Sequence, residues 1–117
     1  MAPRNIWLLD GDADVRDALE FFLGAEGYLV RQFRTAEALM SEPLVPAGTC
    51  LIIDQRLPTV DGLQVIELLR ARGGTTPVVL LTSCVSDEVL ARCVQINVPV
   101  VEKPLHNDDL ANILARF

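Results

Sequence analysis

Short, continuous apolar runs recur along this chain, separated by longer stretches whose apolar residues return at helical spacing. Ile6-Trp7-Leu8-Leu9, Cys50-Leu51-Ile52-Ile53 and Pro77-Val78-Val79-Leu80-Leu81-Thr82 are too short for comfortable helices and lack polar alternation. They read as strands buried on both faces. Tyr28 to Phe33 is a more exposed strand, since Arg31 and Gln32 interrupt it, and Val98 to Glu102 is a fifth. Pro99 cannot donate to a ladder, so that fifth strand belongs at an edge or a bulge. Between the strands, Val15, Leu19, Phe22 and Leu23 fall near i, i+4, i+7 and i+8, with Asp12 or Asp14 able to cap the helix and Gly27 able to end it. Thr35 caps a second helix through Leu39 and Met40, and Leu63, Ile66 and Leu69 mark a third that ends at Gly73-Gly74. Ser86 caps a fourth, with Asp87 and Glu88 in the turn where the helix dipole favours negative charge. Asn107 caps the last, which carries Leu110, Ile113, Leu114 and Phe117 at i, i+3, i+4 and i+7.

The order is βα, five times over, without linker, internal repeat or low-complexity tract. That order predicts an α/β fold: a doubly wound five-stranded parallel sheet, flavodoxin-like, with strand order 2-1-3-4-5. At 117 residues and 50% hydrophobic composition the chain, residues 1–117, is expected to be a single domain with an ample core. A net charge of -6 argues against direct nucleic acid binding, because phosphate neutralisation needs clustered Lys and Arg. Cys50, Cys84 and Cys93 have neither C-x-x-C nor metal-ligand spacing and read as reduced thiols. No signal region opens the chain and no apolar run approaches a membrane span, so the expected location is cytoplasmic, away from the membrane.

The chemistry concentrates at strand ends. The first apolar run ends in Asp10-Gly11-Asp12, and the third strand ends in Asp54, followed by Leu57-Pro58 and Asp61-Gly62 before helical spacing resumes. Strand order 2-1-3-4-5 places strands 1 and 3 side by side at the switch point. Asp10 and Asp54 should therefore face each other, with Thr82 nearby and Lys103 overhanging the same edge. Two facing carboxylates repel, and a hard, oxygen-lined site of this kind suits Mg²⁺. A metal ion with a lysine also neutralises a phosphoryl group, whose transfer depends on positioning and charge compensation. Taken alone, Thr82 is a strand-end hydroxyl bonded to backbone, Lys103 a solvated charge, and His106 a surface residue near a helix start.

Leu8-Leu9-Asp10, Ile52-Ile53-Asp54 with Leu57-Pro58 and Asp61-Gly62, Leu80-Leu81-Thr82-Ser83, and Glu102-Lys103-Pro104-Leu105 together resemble the receiver (response regulator) domain of two-component signalling. The resemblance spans nearly the whole chain. The wording of Asp14-Val15-Arg16-Asp17-Ala18-Leu19 and of Glu102-Lys103-Pro104 is similar to receivers that precede a helix-turn-helix output domain. The resemblance implies a phosphoacceptor domain rather than an enzyme, possessing only self-phosphorylation and slow self-dephosphorylation chemistry. Asp54 would take a phosphoryl group from a sensor histidine kinase. Asp10, Asp54 and the backbone carbonyl of Arg56 would hold Mg²⁺. Thr82 would hydrogen-bond the phosphoryl group and Lys103 would pair with it, with a cis Lys103-Pro104 bond. The signal would pass to an output domain or a second copy through helix 4, strand 5 and helix 5, in transcriptional control, and the chain would be the N-terminal part of a longer regulator.

Two positions depart from the family pattern. Receivers carry two adjacent acids after strand 1, where this chain has Asp10-Gly11; Asp12 is the candidate substitute, through a bridging water, or else a helix cap. Receivers also carry Tyr or Phe where this chain has Val100. Both departures leave open a degenerate receiver that binds a partner without phosphorylation. A third reading takes Asp10-Gly11-Asp12 for the D-x-D motif of haloacid-dehalogenase-like phosphatases, with Asp10 as nucleophile and Asp12 as general acid. The residues that follow, Ala13 and Asp14, do not continue that motif, and Asp54 would have no purpose.

Overall fold

All five expected strands form, in one parallel sheet, in the computed structural model, which describes residues 3–105 and 107–117. The elements are β1 (Asn5–Leu9), α1 (Ala13–Ala25), β2 (Leu29–Phe33), α2 (Ala36–Met40), β3 (Thr49–Asp54), α3 (Gly62–Ala71), β4 (Val78–Thr82), α4 (Asp87–Gln95), β5 (Val100–Glu102) and α5 (Asn107–Leu114). The strand order is β2-β1-β3-β4-β5, the order expected for a doubly wound sheet. Every residue of β3 and β4 is buried, which is why those two runs show no polar alternation.

Each strand sends alternate side chains to opposite faces, and each face carries its own apolar cluster. On one face Trp7, Leu9, Leu51, Ile53, Val78 and Leu80 pack under Leu39 of α2, Leu63 and Ile66 of α3 and Cys93 of α4. On the other, Ile6, Leu8, Ile52, Val79 and Leu81 pack under Leu19 and Leu23 of α1 and Leu110 and Leu114 of α5. Trp7 rests on Phe33 with ring centroids 5.0 Å apart, and the Arg31 guanidinium lies over both rings.

Differences from expectation lie at element ends. Helix α1 starts at Ala13 because Asp12, rather than Asp14, is the cap: its side chain accepts the Asp14 N–H. The Tyr28 N–H bonds to Leu23 O, so Tyr28 closes α1 and β2 begins one residue later. Gly27 makes this exit possible with φ 97°. Strand β5 starts at Val100 rather than Val98, because the Val98 N–H is taken by Cys93 O at the end of α4. The Pro99 carbonyl accepts from Leu80 N, and β5 lies at the sheet edge, the place its proline allows. Thr35 and Ser86 cap α2 and α4 as expected. The expected capping side chain of Asn107 and the surface position of His106 lie outside the described residues.

Candidate functional site

Because β1 and β3 are neighbours, with Leu9 opposite Ile53, the next residue of each run brings two carboxylates together at the carboxyl edge. Asp10 is 4% exposed and Asp54 7%, so neither charge is free to hydrate fully. Lys103 compensates both: its Nζ lies 3.1 Å from Asp10 Oδ2 and 3.1 Å from Asp54 Oδ1. Lys103 is carried there from the sheet edge, where its N–H donates to Thr82 O at 2.8 Å and the following bond to Pro104 is cis.

Burial, and next the Asp10 charge, push the Asp54 carboxyl above its ordinary range, while Lys103 and the Arg56 N–H pull it back. Burial works against the Lys103 ammonium, but its bond to Asp10 and the two negative charges outweigh that and hold it above its usual value. The result is an ionised lysine tethering two carboxylates at the floor of an open cleft of about 620 Å³. Asp10, Asp12, Asp54, Arg56, Ser83 and Lys103 line that cleft.

The surrounding loops are fixed by bonds that hydrophobic periodicity does not reveal. Asp10 Oδ1 accepts from Asp12 N at 2.9 Å, and Arg16 donates to Asp10 O at 2.6 Å. After β3, Gln55 is held three ways: its N–H donates to Leu81 O at 2.7 Å, its carbonyl accepts from Gly62 N at 3.0 Å, and its Oε1 accepts from Leu63 N at 2.9 Å. Asp61 and Gln64 then form a reciprocal capping box that starts α3. Gly62 passes so close to β3 that a Cβ there would stand 2.5 Å from Asp54 O. The sequence signals for these were the Asp61-to-Gln64 spacing and the Asp61-Gly62 pair.

The expected site residues do not all arrive in the expected way. Asp10, Asp54 and Lys103 converge. The Thr82 hydroxyl instead donates to Cys84 O at 3.0 Å and accepts from Cys84 N at 3.2 Å, and Ser83 rather than Thr82 lines the cleft. Asp12 lies at the rim, but its Oδ1 is engaged by the Asp14 N–H at 2.9 Å, which is the helix-cap reading of that residue. Among the described residues no group of three or more His, Cys, Asp or Glu gathers to hold a metal. The donor chemistry nevertheless fits Mg²⁺, which needs only one or two carboxylates and keeps several waters. Val100 is half-buried and packs against the cluster under α2, α3 and α4. No helix among the described residues is long and apolar enough to cross a membrane.

Comparison with known proteins agrees with this geometry. The family "Response regulator receiver domain" matches residues 6–115. Transcriptional regulatory protein FixJ of Bradyrhizobium diazoefficiens is 26% identical over 111 residues, covering 94% of this chain and 54% of that protein. Transcriptional regulatory protein TdiR of Thauera aromatica is 28% identical over 107 residues, covering 91% of this chain and 47% of that one. The chain thus spans about half the length of the curated relatives it matches. The crystal structure of full-length FixJ from B. japonicum superposes with a TM-score of 0.86 at 26% identity, over 99% of this chain and 58% of that one. A D-x-D phosphatase reading loses its footing here, since the Asp12 carboxylate caps α1 and the match belongs to another family. With strand order, buried acids and the match over residues 6–115 in agreement, this chain belongs to the receiver domains of two-component response regulators.

Proposed function

We propose that Asp54 is the phosphoacceptor of this receiver. A carboxylate oxygen of Asp54 attacks the phosphorus of a kinase phosphohistidine, the P–N bond breaks, and the histidine nitrogen leaves with the electron pair and takes up a proton. The observation that carries this reading is the Lys103 ammonium 3.1 Å from both buried carboxylates at the floor of the open cleft. Lys103 keeps Asp54 ionised as nucleophile and remains beside the new phosphoryl charge. Asp10, Asp54 and the Arg56 carbonyl would hold Mg²⁺, with Gly11 leaving one ligand position to water. The ion supplies charge neutralisation for the incoming phosphoryl group. Once the phosphoryl group arrives, the Thr82 hydroxyl exchanges its Cys84 partners for a phosphoryl oxygen.

On this reading residues 1–117 are a receiver unit preceding an output module in a longer, cytoplasmic regulator, and the half-length match to transcriptional regulators supports the greater length. Its kinase would be a sensor histidine kinase, and its signal would leave through the face of α4, β5 and α5. The second reading, a receiver that binds its partner unphosphorylated, is favoured by Gly11 in place of an acid and by the engaged Thr82 hydroxyl. Intact mass after treatment with a small phosphodonor and Mg²⁺ separates them. One added phosphoryl group, lost in Asp54→Asn and kept in Asp10→Asn, is the expected result, and no addition to the wild type supports the unphosphorylated binder.

A further inference from the structure

Helix α1 carries two phenylalanines in succession, and only one of them serves the core. Phe22 packs with Leu19 and Leu23 in the cluster under α1 and α5, whereas the adjacent Phe21 is 83% exposed. On β2, the strand at that edge of the sheet, Leu29 is 71% exposed. With Asp17, Glu20 and Gly24 these two residues line a groove of about 650 Å³ along the α1–β2 edge. Gly24 lies in the last turn of α1, where a Cβ would meet nothing within 4 Å and the backbone is not left-handed. Glycine inside a helix destabilises it relative to alanine, and neither packing nor conformation in this fold asks for one there. Its effect is to leave the groove bare at that point, open to close approach by another chain.

The two acids of the groove are held in place by a neutral group. Gln32 Nε2 donates to Asp17 Oδ1 and to Glu20 Oε1, both at 3.1 Å, and Gln32 Oε1 accepts from Arg16 Nε at 2.9 Å. Arg16 is tied in turn to Asp10 O. The arginine thus orients the amide, and the amide gathers the carboxylates without cancelling their charge. Among the described residues neither Asp17 nor Glu20 enters an ion pair. Two fixed negative charges beside two exposed apolar side chains are complementary to apolar anchors flanked by Lys or Arg. Nucleic acid and anionic lipid carry the wrong sign for this surface. A second copy docked by two-fold symmetry would set the same acids against one another.

We propose that the α1–β2 edge is a docking surface for a basic amphipathic segment of a partner protein. Apolar side chains of the segment rest on Phe21 and Leu29 and pass over Gly24, and its Lys or Arg side chains pair with Asp17 and Glu20. The surface lies at the opposite end of the sheet from β5, so its occupant leaves the face of α4, β5 and α5 free, and the docking does not depend on the chemistry of the cleft.

The test titrates a short amphipathic Leu/Lys peptide into ¹⁵N-labelled protein at low ionic strength, with a Leu/Glu peptide of the same pattern as control. The Leu/Lys peptide should give saturable shifts at the amides of residues 17–25 and 28–30, and the Leu/Glu peptide none. The double variant Asp17→Asn, Glu20→Gln and the single variant Phe21→Ser should each weaken binding at least tenfold, with the folded spectrum elsewhere unchanged. Gly24→Gln should unfold at higher urea than wild type and yet bind the peptide more weakly, which a purely structural glycine would not do. Equal affinity in wild type and the double variant overturns the inference, as do shifts spread over other acidic surfaces such as the first turn of α4. Self-association of the wild type that Phe21→Ser abolishes in sedimentation overturns it in favour of a second copy.

Discussion

The two acids at the floor of the cleft differ in what folding asks of them. Burial and the neighbouring Asp10 charge raise the Asp54 carboxyl above its ordinary range. A raised folded pKa means that folding favours the protonated form, so Asp54's contribution to stability is full below the unfolded value and is lost as pH rises through the folded one. At neutral pH the ionised Asp54 opposes folding. In chelator, Asp54→Asn should therefore unfold at higher urea than wild type at pH 7, and the advantage should shrink as pH falls through the raised folded value and be gone below the unfolded one, about 3.9. Lys103 does not blur this window, because its raised value keeps it charged up to the alkaline range. An advantage that grows toward acid would show the sign to be wrong. Gly11 is a separate matter: its φ lies outside the left-handed region and its Cβ position is open, so nothing in the backbone requires glycine there. Gly11→Asp should tighten Mg²⁺ binding by roughly 5- to 150-fold, the equivalent of one charged contact at about 1–3 kcal/mol. Calorimetric titration of both proteins checks it, and equal affinities with a large loss in Asp12→Ala would show that Asp12 fills the position after all. Asp10 and Asp54 were legible from the sequence because each ends an apolar run, and Lys103 because it stands just past the fifth strand. The Thr82 hydroxyl bonds backbone, as its reading in isolation has it, and its choice of Cys84 over the cleft was not legible, since rotation about a single χ1 bond decides it and leaves no mark on residue spacing.

Helix α3 is the element that holds Asp54 in place, and its first residues do so by backbone contact rather than by side-chain packing. Gly62 stands against Asp54 O so closely that Gly62→Ala puts a methyl 2.5 Å from a main-chain oxygen and 2.9 Å from Leu80 Cδ1. Leu80 can shift its terminal carbon, but the β3 carbonyl cannot move without moving Asp54. Overpacking of this kind costs about 1–3 kcal/mol, and contact with backbone puts the alanine variant at the upper end. Urea unfolding should show that loss, with a parallel fall in phosphorylation rate. Wild-type stability in Gly62→Ala would mean that the loop has room the geometry does not indicate. Asp61→Ala, which removes the capping box but leaves β3 untouched, should cost about 1 kcal/mol and spare most of the rate. The helix itself was readable from Leu63, Ile66 and Leu69, whereas the close approach was not. Asp61-Gly62 signals a turn in any fold, and only the neighbouring strand turns the glycine into a necessity.

Among the described residues, beside the singly exposed Leu44 and Leu68, two pairs of large apolar side chains stand exposed, and one pair lies on the proposed output face. Strand order was readable because five βα units with central runs apolar at every position leave few ways to bury both sheet faces. Which outer surface meets a partner was not, since exposed apolar residues belong to helices whose inner stripe already satisfies the pattern. On α4, Leu90 is 46% exposed and Val94 76%, one turn apart, beside the three-residue edge strand β5. At the opposite edge, Phe21 of α1 is 83% exposed and Leu29 of β2 71%, close to the acidic Asp17 and Glu20. The Phe21–Leu29 patch is flanked by Asp17 and Glu20, whereas on α4 Arg92, paired with Glu67, stands in the turn of Leu90 and Val94, and the acids Asp87 and Glu88 are confined to the first turn. The expected outcome is that phosphorylated protein sediments as a dimer at concentrations where the unmodified chain is monomeric. Val94→Asp should raise the dimer dissociation constant at least tenfold, because it places a charge in the centre of a desolvated contact, while leaving phosphorylation of Asp54 intact. Phe21→Asp should leave the dimer unchanged. The reverse pattern would move the interface to the α1–β2 edge, and an unchanged monomer before and after phosphorylation would leave α4, β5 and α5 to an output domain instead of a second copy.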